Sequence, residues 1–175
     1  MYNKYLVDNA ARMSLSVRGY NKMTLTDIWK IEDKNSLILA LDEHVAEKCA
    51  YGGNMDALSE QERIFYIVQT LEKEVNNGGF SQFFYNSSGD FSGELLYSLA
   101  EIGADEISVI CGKALNAFGC EIPVDRGERE ELLDDMESNG VDEIFDECDD
   151  EFYNNMDILT ELSYAYVMKH RTDFS

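Results

Sequence analysis

The chain has one proline, two histidines, four cysteines and 14 Lys or Arg residues in 175. Each shortage excludes something. His44 and His170 lie far apart in the chain, which argues against a histidine-based metal site. Cys49, Cys111, Cys120 and Cys148 form no C-x-x-C pair, and three of them fall on apolar helix faces, so free buried thiols are expected. Scarce basic residues disfavour direct contact with nucleic acid or anionic membranes, because phosphate contacts need Lys and Arg. No run approaches the ~18 apolar residues of a membrane span, and no apolar stretch of signal-peptide length follows Met1. A soluble, cytoplasmic protein is therefore expected. There is no G-x-S-x-G, no Gly-rich phosphate loop and no Cys/His neighbourhood, so catalysis is not expected, nor is a cofactor. So many carboxylates make acid pairs inevitable, so such pairs carry no weight as catalytic signals.

What the chain has in excess is negative charge. Asp and Glu number 35, for a net charge of −21. Fifteen of them fall in Glu121–Glu151 against Arg126 and Arg129 alone, a net −13 in 31 residues. Like-charged blocks usually mean disorder. Here apolar residues recur at helical spacing instead: Leu132, Leu133 and Met136, then Val141, Ile144, Phe145, Cys148 and Phe152. A packed frame would hold the carboxylates in fixed geometry, against a cost of roughly 0.2–0.5 kcal/mol per like-charged i,i+4 pair. Residues 1–30 reverse the sign, with five basic and two acidic residues. That basic N-terminal segment is read as a helix packed by Tyr5, Leu6, Met13 and Leu15, or as an arm that pairs with an acidic surface.

No segment alternates like a strand, and the expected class is all-α, a multi-helix orthogonal bundle forming a single domain over 1–175. Thr24 or Thr26 is the expected cap of a short helix, and Asn35 or Ser36 that of a helix through Ala50 stopped by Gly52-Gly53. Ser59 and Glu62 form a capping box for a helix carrying Ile64, Ile67, Val68, Leu71 and Val75. Asn76-Asn77-Gly78-Gly79 is expected to end it, and Phe80-Ser81-Gln82-Phe83-Phe84-Tyr85 to plug the core. Ser92 is expected to cap a helix with Leu95, Leu96, Leu99 and Ile102, closed by Gly103. Ala104–Phe118 and about Asn155–His170 are the other helices, and Pro123 marks the turn into the acidic region.

The run Glu74-Val75-Asn76-Asn77-Gly78-Gly79-Phe80-Ser81-Gln82-Phe83-Phe84-Tyr85-Asn86 resembles the helix-end motif of a bacterial domain family of largely unknown function. The family's described member is an acidic DNA-mimic protein. The resemblance spans about 56–118. It implies an all-helical fold in which Asn77, Gly78, Gly79, Phe80, Gln82, Phe83, Phe84 and Asn86 form a packing motif. It also implies, more loosely, an activity: occupation of the DNA-binding surface of a transcription factor or other basic protein.

The acidic residues supply their own argument. Fifteen carboxylates over 31 helical residues, roughly 46 Å, give about one per 3 Å. One DNA strand carries a phosphate per ~3.4 Å. The candidate rows are Glu128, Glu131, Asp134 and Asp135, then Asp142, Glu143, Asp146, Glu147, Asp149 and Asp150. The expected partner is a basic, DNA-binding protein; a homodimer is the other association considered. One alternative is an acidic module with a non-DNA-binding partner, such as a toxin-neutralising protein. Another is a weak divalent-cation binder: Asp135–Asp146 places oxygens at calcium-loop positions 1, 3, 5, 9 and 12 with Gly140 at position 6. Asp142 stands where that loop needs an apolar residue, and Asp146 is short for the bidentate position.

Overall fold

In the computed structural model the described residues are 23–137 and 140–175, without the Glu137 side chain. Most of the basic N-terminal segment, with Tyr5, Leu6, Met13 and Leu15, lies outside them, as do Ser138 and Asn139 of the candidate calcium loop. Among the described residues the chain is all-α, with eight helices and no strand. They are α1 (Leu25–Ile28), α2 (Lys34–Lys48), α3 (Glu60–Tyr85), α4 (Ser92–Ile102), α5 (Asp105–Asn116), α6 (Arg126–Glu137), α7 (Val141–Asn155) and α8 (Asp157–Lys169). None of them is long and apolar enough to cross a membrane.

Helix α3 is the axis of the fold. It starts at the expected capping box: Ser59 Oγ accepts from the Glu62 N–H, and Glu62 Oε2 accepts from the Ser59 N–H at 2.8 Å. Ile64, Ile67, Val68, Leu71 and Val75 are all buried. The expected break at Gly78-Gly79 is a kink and not an end. Both residues leave helical geometry, Gly79 at φ 77° and ψ −175°, and the helix resumes through Tyr85. That backbone region is open essentially to glycine alone. Beyond the kink Phe80, Phe83 and Phe84 are fully buried, whereas Tyr85 is exposed.

Two of these buried aromatics, Phe80 and Phe84, gather the acidic half of the chain. Phe84 meets Phe118 at 4.9 Å between ring centroids and Phe145 at 5.4 Å, and Phe80 meets Phe152 at 6.0 Å. Such pairs add about 0.5–1.5 kcal/mol each beyond their buried area. Phe145 and Phe152 belong to α7, so this net seats the acidic helix on α3. Helix α7 packs chiefly on α3 and α5, α6 packs on α3 and touches α7, and α2 packs on α8 and α3.

Several local expectations change. Asp33, not Asn35 or Ser36, caps α2, accepting from the Ser36 N–H at 2.8 Å. The helix stops at Lys48, before the glycines, because Ala50 and Tyr51 both take positive φ. Ser92 is the first residue of α4 and not its cap; its hydroxyl donates to the Gly89 carbonyl at 2.6 Å. Leu96 and Ile144, at 39% and 36% exposure, are the solvent edges of their apolar stripes. Thr24 caps α1, and Gly103 ends α4 at φ 83°.

Candidate functional site

The motif of residues 74–86 is a polar clasp around the kink. Glu74 Oε2 accepts from Gln82 Nε2 at 2.7 Å and from Asn86 Nδ2 at 2.9 Å, and Asn77 Nδ2 donates to Gln82 Oε1 at 3.2 Å. The two halves of α3 are thus tied across the bend. A β-carbon on Gly78 would overlap the Gln82 amide oxygen, and one on Gly79 would overlap the Asp149 carboxylate. Gly79 needs glycine twice over, for its φ and for its neighbour.

Asp149 is the first link from this clasp to the acidic helices. Its Oδ1 accepts from the Phe80 N–H at 2.8 Å, giving the resumed segment of α3 a capping acceptor supplied by α7. Burial pushes the carboxyl up to about 6; the Phe80 hydrogen bond opposes the shift, and Asp146 and Asp150 add to it. One turn on, the Tyr153 hydroxyl donates to the Val75 carbonyl at 2.7 Å.

The second link is Arg129. It is the largest fully buried side chain among the described residues, at 0% exposure, and it lies in the most acidic stretch of the sequence. Nε donates to the Phe84 carbonyl at 2.6 Å. Nη1 donates to the carbonyls of Pro123 and Val124 at 2.9 and 3.0 Å. Nη2 donates to the Asn86 carbonyl at 2.9 Å and to Asp90 Oδ1 at 2.7 Å. These five bonds use all five guanidinium N–H groups. They dock α6 against the end of the motif and the turn after it.

With both helices fixed, the acidic residues sort by face. On α6, Glu128, Glu131, Asp134 and Asp135 are exposed, while Arg129 and Leu133 point inward. On α7 the buried stripe is Val141, Phe145, Cys148 and Phe152. At 3.6 residues per turn, Asp142, Asp146, Asp149 and Asp150 follow one flank of it, and Glu143, Glu147 and Glu151 the other. Asp142, Glu143, Asp146, Glu147 and Asp150 are exposed; Asp149 is half-buried.

The two flanks differ electrically. Lys113 of α5 bridges Glu147 at 2.9 Å and Glu151 at 3.1 Å, and both carboxylates raise its pKa. Arg126 pairs with Glu130 at 2.7 Å, and Asp125 Oδ1 accepts from the Glu128 N–H. The fifteen carboxylates of the sequence are thus not equivalent: several serve the fold, and the exposed Asp flank of α7 is not bridged by a described lysine or arginine. At the candidate calcium loop, Gly140 takes φ 83° and Val141 begins α7. Among the described residues no three His, Cys, Asp or Glu side chains converge as metal ligands.

Of the cysteines, Cys49, Cys111 and Cys148 are buried, Cys120 is exposed, and all four are free. Cys111 and Cys148 belong to the contacting helices α5 and α7, and burial raises the pKa of both thiols.

These features define an all-helical protein whose longest helix bends at a double glycine and whose acidic helices are docked on that bend. The chain belongs to the DMP19-like protein family, which matches residues 56–170. The match takes in the kink, the Arg129 contacts and both acidic helices, well beyond the 56–118 span of the sequence resemblance. No curated protein and no solved structure matches the chain.

Proposed function

We propose that the protein acts by binding and not by catalysis, as a DNA mimic that presents the exposed carboxylates of α6 and α7 to the Lys and Arg side chains of a DNA-binding protein. The observation that carries this reading is the docking of two acidic helices by Arg129 and Asp149, which leaves Asp142, Asp146 and Asp150 in an exposed row at i, i+4 and i+8. The row rises ~6 Å per step. Phosphates of one strand recur every ~3.4 Å along the axis, so the row matches about every second one. The family's name, DNA mimic protein 19, supports the same reading. Carboxylates fixed on a folded frame are pre-organised, so the partner's cations meet them without ordering a chain.

The test is capture and competition. The protein is immobilised, DNA-binding proteins retained from lysate are identified, and one is titrated in the presence of its duplex. Expected is competition by duplex, an affinity that falls with added salt, and loss of binding in D142N/D146N/D150N. A partner that binds duplex and this protein at once rules mimicry out.

A further inference from the structure

Asp149 differs from every other acidic residue of α7. Its half-buried carboxylate lies in the space beside Gly79 and accepts the hydrogen bond from the Phe80 N–H. An ionised carboxylate offers roughly four acceptor sites, and no described lysine or arginine forms an ion pair with this one. The charges that act on it come from its own helix, Asp146 and Asp150. Helix α3 contributes the Phe80 amide, and the neighbouring Tyr153 phenol is engaged with Val75. Lys113 of α5 is held by Glu147 and Glu151 on the opposite flank, and Arg129 of α6 is held by backbone carbonyls and Asp90.

We propose that Asp149 is a proton-linked member of the acidic face: cations docking along the Asp142, Asp146 and Asp150 row drive its carboxyl to the ionised form, so the complex forms with release of a proton. This rests on the acidic face being the binding surface. In the free protein burial and two like charges favour the protonated form up to about pH 6. A guanidinium beside the row opposes both effects. The proton passes from the carboxyl to buffer, and binding weakens by up to about tenfold per pH unit as pH falls below that range.

The test uses deca-arginine with both termini blocked as the cationic probe, because nothing in it titrates between pH 5 and 8 and any proton must come from the protein. Calorimetry at pH 6 in low salt, in two buffers of different ionisation enthalpy, counts the protons. Wild type is expected to release up to about half a proton per site more than Asp149→Asn. Equal release from the two proteins overturns the linkage while leaving the face intact. Absence of binding by either protein overturns the face and the linkage with it. A carboxyl-carbon NMR titration of wild type decides independently of the variant's folding: the Asp149 midpoint moves down when the peptide is added, and an unmoved midpoint rejects the proposal.

Discussion

Arg129 and Gly89 are packed so closely that a β-carbon at residue 89 would overlap the guanidinium Nε. The Phe84 carbonyl, which accepts from that same Nε, would meet the added carbon as well. Gly89→Ala must therefore displace the arginine or the end of α3. Overpacking of this kind costs about 1–3 kcal/mol. A lower urea midpoint at unchanged m-value is the expected signature.

Removing the arginine is expected to cost more. Arg129→Met deletes five donors and leaves the carbonyls of Phe84, Asn86, Pro123 and Val124 without them. About 3 kcal/mol is expected from denaturant unfolding. Arg129→Lys keeps the charge but offers three donors from one point, so it rescues little of the loss. Full rescue by lysine would show that charge, and not the planar fork, is what docks α6.

At the kink, Gly79→Ala meets two separate penalties. The backbone region alone costs about 1–3 kcal/mol for a residue with a β-carbon. The overlap with Asp149 adds to it. In a double-mutant cycle Asp149→Ala is expected to remove the second penalty and not the first. Additive effects across the cycle would mean that the two positions do not touch.

The Asp149 carboxyl also gives stability a pH dependence with a defined sign. Its folded pKa, about 6, lies above the reference value of 3.8, so the folded state binds the extra proton. This term lowers stability above pH 6 and is relieved as pH falls towards 4. Asp149→Asn keeps an acceptor for the Phe80 N–H without the charge. It is expected to be more stable than wild type at pH 7, by about 1 kcal/mol after allowance for solvent screening. The difference should vanish near pH 4, as measured by paired urea titrations.

Neutralising the two flanks of α7 is expected to have unequal effects on the partner. Glu147→Gln removes a carboxylate that Lys113 already meets, whereas Asp146→Asn removes one from the unbridged flank. Stopped-flow association at two salt concentrations should show the larger loss of rate and of salt sensitivity for the aspartate variant. Lys113→Ala, by removing the cation that bridges Glu147 and Glu151, is expected to speed association.

Much of the scaffold was legible in the sequence because it rests on short-range rules. The Ser59–Glu62 box, the buried stripe of α3 and the left-handed Gly103 are all set by residues within a few positions of one another. The contacts that place the acidic helices are long-range. Arg129 reaches Phe84 and Asn86, and Asp149 reaches Phe80. In a linear reading Arg129 is one charge in an acidic run, where a long basic side chain is read as solvent-facing. Its i+4 relation to Leu133 was the available signal, since both fall on the inward side of α6. Likewise Asp149 sits next to Cys148 at the margin of the apolar stripe, where a carboxylate is read as solvent-facing. The motif's polar residues Gln82 and Asn86 were legible as a pattern but not as ligands of Glu74, because the bend that brings them together depends on Gly78 and Gly79.

The exposed thiol of Cys120 has a practical use. The other three sulfhydryls are shielded in the folded state, so a maleimide dye added to native protein should couple at one position, in the turn between α5 and α6. A fluorophore placed there precedes the acidic helices in the chain and replaces none of their carboxylates. It can report the arrival of a ligand by anisotropy before that ligand has a name.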